Sequence, residues 1–152
     1  MHIRSYLQLL QTRERQLAEA LVAFADDHTD APDVADACYR LAGWSQRHVE
    51  VLDRFVARWP AASAPEPAVP LPPLLPARIG GSYGLLHGLH TLWLLAQDVL
   101  LRWQVLEQVA WALRDGELLA ACEEAGREAQ RQVAWVRTRL AEVAAQAIVA
   151  AP

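Results

Sequence analysis

Two ionisable side chains occupy places where helical segments are otherwise apolar. Leu7, Leu10, Glu14, Leu17, Leu21 and Phe24 recur at intervals of three and four, the spacing of one helix face. Val34, Cys38, Leu41, Ser45, His48, Leu52 and Phe55 do the same on the next segment. Glu14 and His48 therefore fall in core slots, where an ionisable group is costly unless it is paired, hydrogen-bonded or metal-bound. Folding the two segments together about a turn near Asp30 brings Glu14 level with Arg47 and His48. The carboxylate and the imidazole should then be neighbours, with Ser45 one turn from His48 on the same face.

Three kinds of chemistry fit such a pair. One is a Glu14–His48 hydrogen-bonded ion pair, extended by Ser45 and Gln132, that satisfies its own polar atoms and fixes helix register. A second is a site for a single iron, manganese or zinc ion among Glu14, His48, Asp98 and Glu128. The third is an organic ligand or a proton-transfer role. Asp98 lies near the middle of the third helical segment, although Thr91 and Arg102 mark a polar face that could also claim it; Glu107 is the runner-up. A carboxylate beside His48 should raise its pKa, while burial should lower it.

Other constellations point less far. His87 and His90, three apart, have a metal-ligand spacing but read as two partly exposed histidines at a helix start. Gly80-Gly81-Ser82-Tyr83-Gly84 opens a helix, which suits an anion, yet no strand precedes it and the chain has no lysine. No Ser–His–Asp or Cys–His arrangement can be defended from spacing. Among six tryptophans, Trp44, Trp93, Trp103 and Trp135 read as packing residues whose N–H groups need partners when buried. A ligand pocket lined by them would need a sizeable central cavity.

The elements that must position these residues are four. A first helix runs from about Ile3 to His28. Thr29-Asp30-Ala31-Pro32-Asp33 then offers Asp30 as N-cap, an early proline and an acidic first turn. A second helix continues to about Trp59. Residues 60–81 carry Pro60, Pro65, Pro67, Pro70, Pro72, Pro73 and Pro76, which forbid a helix and suit an extended connection along the length of a bundle. A third helix, apolar nearly all round, spans about Ser82 to Arg114. Asp115-Gly116 makes a turn, and a fourth helix runs from Glu117 to about Ala147.

Composition narrows the class. The 152 residues, 53% hydrophobic and 21% charged, suit one well-buried domain over 1–152. All fourteen basic residues are arginine, scattered on a chain of net charge −4, which argues against a nucleic-acid partner. No signal segment or membrane span is recognised, since the longest apolar run, Leu92 to Leu101, is broken by Gln97 and Asp98. Cys38 and Cys122 form no CxxC and lie on apolar stripes, as buried free thiols in a reducing, cytoplasmic setting would. The third helix is apolar enough for a second copy to cover part of it, and a homodimer is expected.

Tight hairpin, long connection, tight hairpin: in this order the chain resembles the ferritin-like superfamily of four-helix bundles. Di-iron members of that superfamily use a Glu from each of two helices and Glu-x-x-His from each of the other two. The resemblance implies Glu14 as the first-helix glutamate and His48 as the second-helix histidine, with Asp98 and Glu128 as further ligands. The chain departs from the motif at Ser45, where a bridging carboxylate belongs. It departs again at Arg131 and Arg127, three residues after Glu128 and Glu124, where a histidine is required. The expectation is an all-α, ferritin-like bundle stripped of most di-iron ligands. It would serve as a non-catalytic binding or structural protein without a cofactor. The alternative is an iron-, manganese- or zinc-binding protein with redox capability.

Overall fold

In the computed structural model of the chain, residues 2–66, 68–72, 74–76 and 78–150 are described. Four long helices dominate: α1 (Ile3–Asp27), α2 (Pro32–Arg58), α3 (Gly81–Leu113) and α4 (Gly116–Ala145). A short π-helical segment over Gln146–Ala150 follows α4, so the regular helix ends slightly before the expected Ala147. No strand occurs among the described residues, and no helix there is long and apolar enough to cross a membrane.

Helix ends follow local chemistry, with one correction. Pro32 opens α2 and Asp33 stands in its first turn, but the N-cap is Ala31 and not Asp30, and no side chain caps that end. The chain turns one residue later than the Asp30 reading requires. At α4, Asp115 is the N-cap and its carboxylate accepts from the Leu118 amide at 3.0 Å. The far end of α2 is served by Arg4, whose guanidinium donates to the carbonyl oxygens of Val56 and Trp59.

The apolar stripes pack as their periodicity requires. α1 pairs closely with α2, and α3 with α4; α1 lies against α3, and α2 meets α4 more lightly. Leu7, Leu10, Leu17, Leu21 and Phe24 of α1 face Leu92, Leu95, Val99, Trp103 and Leu106 of α3 in one continuous core. Full burial of a leucine stabilises by roughly 1.5–3 kcal/mol, so this layer sets the pairing and polar contacts refine it.

The connection between α2 and α3 touches α1 in several places. Glu66 meets His2 at 3.1 Å. The carbonyls of Leu71 and Pro72 accept from Gln16 at 3.4 Å and Arg13 at 3.0 Å. Arg78 lies 3.8 Å from Asp27. These contacts follow α1 from before its first residue to its last. Pro67 and Pro73, two of the prolines expected to hold the connection extended, lie outside the described residues.

Candidate functional site

Glu14 and His48 meet in the core, and each of the four helices supplies one member of the group around them. Glu14 of α1 has no exposed surface, and its Oε1 lies 2.7 Å from Nδ1 of His48 on α2. The indole N–H of Trp103 on α3 donates to the same oxygen at 2.7 Å. On the other side of the imidazole, Nε2 lies 3.0 Å from Oε2 of Glu128 on α4. The rings of His48 and Trp103 stand edge to face at 5.6 Å. Glu128 reaches the surface, where Arg47 lies 3.4 Å from it.

The protonation state follows from the partners. Carboxylate oxygens accept only, and both ring nitrogens face one, so the imidazolium satisfies both contacts by donating twice. Burial by itself pushes the His48 pKa down. The hydrogen bond and charge of Glu14, reinforced by Glu128, outweigh that and hold it above the ordinary value. One acceptor is left over: Glu14 Oε2 is buried without a hydrogen-bond partner among the described residues.

Ser45 and Gln132 form a second unit on the α2–α4 side. The Gln132 amide donates to Ser45 Oγ at 2.9 Å and to the Leu41 carbonyl at 3.0 Å. Gln132 Oε1 is also left without a partner. Both residues are buried, Ser45 on the face that the spacing assigns it.

Asp98 does not join this group, which corrects the four-residue metal set. Its Oδ2 accepts from Arg13 at 2.7 Å and from Arg102 at 2.9 Å, on the α1–α3 side of the bundle. The polar face suggested by Arg102 claims it, and the buried Arg13 completes the clamp. Trp103 and Arg13 are the participants that stripe reading missed, and Arg47, expected level with Glu14, lies against Glu128. The signal for Trp103 was the need of a buried indole N–H for an acceptor on another helix.

These residues do not suit a metal ion. Both nitrogens of His48 are engaged by carboxylates, Asp98 is held by two guanidiniums, and Ser45, one turn before His48, brings no carboxylate. Among the described residues no group of three or more His, Cys, Asp or Glu side chains could hold a metal. His87 and His90 have ring centres 6.2 Å apart, with Tyr83 edge-on to His87 at 4.4 Å.

The surface clefts carry no matching chemistry. A cleft of about 590 Å³ lies over α1 and α2, lined by Arg15, Glu19, Val22, Asp26 and Glu50 among others. Another of about 400 Å³ lies between α3 and α4 and includes Trp103, Glu107 and Cys122. Neither is lined by Glu14 or His48. Trp44, Trp93 and Trp135 pack at the margin of the core and line neither of these clefts. Cys38 and Cys122 are free, and burial pushes each thiol up to about 12, so neither is a ready nucleophile near neutral pH. No protein-family model, curated protein or solved structure matches the chain.

Proposed function

We propose that this chain is a non-catalytic structural or binding protein of ferritin-like architecture. In this reading the proline-rich segment 60–81 is the long crossover, and the polar core takes the place of a metal centre. The observation that carries the proposal is that Glu14, His48, Trp103 and Glu128, one from each helix, form a single hydrogen-bonded group. Any shift of one helix by a turn would break it and bury an unpaired charge, which costs several kcal/mol. Such a clasp specifies register. A catalytic base would need a face open to substrate, and Glu14 has no exposure at all.

The rival is a metal-binding protein built on Glu14, His48 and Glu128, favoured by the unpartnered Oε2 of Glu14. Metal analysis of tag-free protein, with and without added Fe²⁺, Mn²⁺ or Zn²⁺, separates the two. The clasp predicts no stoichiometric metal, and a Glu14→Gln variant that folds but melts lower. Near-stoichiometric metal that disappears in Glu14→Gln and His48→Ala would overturn it.

A further inference from the structure

We propose that the connection between α2 and α3 is a docking segment for another protein. Its outward edge, Pro72, Leu75 and Arg78, fits a groove lined by aromatic side chains with a carboxylate at one end. The sequence there is Pro72-Pro73-Leu74-Leu75-Pro76-Ala77-Arg78. Two prolines stand three apart, a leucine precedes the second, and an arginine follows it by two residues. Grooves of proline-recognition modules take such segments. Their aromatic rings receive each proline with the apolar residue before it, and a carboxylate receives the cation.

Polyproline II has three residues per turn, so residues three apart line one edge. On that period Pro72, Leu75 and Arg78 share an edge about 19 Å long, Pro73 and Pro76 the next, and Leu71 and Leu74 the third. The described residues between Pro60 and Gly80 form neither helix nor strand, as that backbone requires. Pro72 is exposed, Leu75 is 76% exposed, and the side chain of Arg78 is 84% exposed. The third edge is the sheltered one: Leu71 is half-buried, and Leu74, at 36%, has under half the exposure of Leu75.

The segment is tied to α1 through its backbone. The carbonyl of Leu71 accepts from Gln16 and that of Pro72 from Arg13. Arg78 lies 3.8 Å from Asp27, too far for a hydrogen bond, so its guanidinium donors stay available. A backbone held this way has already given up freedom that a loose linker would lose on binding. Spanning from α2 to α3 accounts for the prolines. It requires neither a leucine standing in water at position 75 nor an arginine at position 78.

Chemistry selects the partner. Between Pro60 and Gly80 the charged residues are Glu66 and Arg78 alone. One cation balanced by one anion does not hold a membrane surface or a nucleic acid, which are bound by several basic groups. Seven prolines in the same stretch prevent it from lying in a groove as a helix, or from adding a central strand to a sheet. A groove that reads an extended, proline-rich edge is what remains.

Isothermal titration of the folded full chain with a recombinant SH3 domain, selected on peptides of the pattern Pro-x-Leu-Pro-x-Arg, tests this. A synthetic peptide of residues 69–80 is the reference. The chain should bind within about tenfold of the peptide. Arg78→Glu and Leu75→Ala should each weaken binding at least about tenfold. Circular dichroism should show both variants folded, because both side chains stand in solvent. Leu74→Ala, on the sheltered edge, should change binding by less than about threefold. A peptide that does not bind would overturn the proposal at the level of sequence. A peptide that binds where the folded chain does not would overturn it at the level of structure, since the edge would then be covered. Equal binding by wild type, Arg78→Glu and Leu75→Ala would put the contact elsewhere and overturn it as well. None of these residues takes part in the Glu14–His48 clasp, so the outcome is independent of the metal analysis.

Discussion

His48 carries a pH dependence whose direction is fixed by its neighbours. Its folded pKa is raised, because the contacts to Glu14 and Glu128 outweigh the desolvation that opposes them. The stabilisation is fully present below the unfolded value near 6.5 and is lost as pH rises through the folded pKa. Thermal stability should therefore decline from about pH 6.5 upward. Above about pH 9 the thiols of Cys38 and Cys122, raised to about 12 in the fold, add a loss of the same sign. The readable window closes there. Replacing Glu14 by Gln keeps the shape but removes the main charge partner, at a cost of about 3 kcal/mol near pH 6. Melting curves of the variant between pH 6 and 8.5 should be flatter than those of the wild type; an unchanged slope would mean that His48 is not the titrating group. Glu14 and His48 were legible in the sequence because an ionisable residue interrupts an apolar stripe only at a cost. Asp98 was misjudged for the complementary reason: mid-helix position does not reveal which of two faces a carboxylate serves. Arg102 on its own helix and the buried Arg13, contributed from a helix far away in sequence, together decide it.

At the scale of the elements, helix three begins under two close approaches. A Cβ added at Gly84 would lie 1.5 Å from the Ile79 carbonyl oxygen, and one at Gly88 would lie 2.4 Å from Cε2 of Phe24. Phe24 is buried on α1, so its ring has no room to retreat. Gly88→Ala should therefore destabilise by about 1–3 kcal/mol despite the better helix propensity of alanine. Gly126 in α4 meets nothing within 4 Å. Gly126→Ala should stabilise by roughly 0.5–1 kcal/mol, since only the propensity acts. Denaturant midpoints of the two variants should move in opposite directions, and a shared sign would show that propensity or packing has been misassigned. The helices themselves were read to within a residue or two from stripes, prolines and Asp115-Gly116. What the sequence withheld was the purpose of Gly84 and Gly88. Along one helix they look only like weak helix formers, and their role exists only against Ile79 and Phe24.

For the whole molecule, the two hairpins are joined unequally. All four helices contribute to the apolar core, but α1 and α3 pack more closely than α2 and α4, whose seam also carries polar ties. Arg58 reaches Asp115 at 2.8 Å and Glu117 at 3.1 Å near one end, and Arg139 pairs with Asp33 near the other. These ties are largely solvated, each worth at most about 1 kcal/mol and weakened by salt. Between them lie the buried Ser45–Gln132 unit and the His48–Glu128 contact. The seam should thus depend on its middle and not on its ends. Stability in 1 M NaCl should fall by less than about 3 kcal/mol, the most that the three outer ion pairs contribute together. Glu128→Ala instead strips His48 Nε2 of its acceptor, at a cost of about 1–3 kcal/mol, toward the low end because Glu128 is partly solvated. Hydrogen exchange should then quicken around Leu41–Leu52 and Glu124–Val136, while the α1–α3 contact keeps its protection. Uniform loss of protection would mean that the hairpins open together and that the α2–α4 seam has no separate stability. A seam of this kind is consistent with a clasp that sets register: the apolar layer holds the hairpins together, and the polar middle decides how they are aligned.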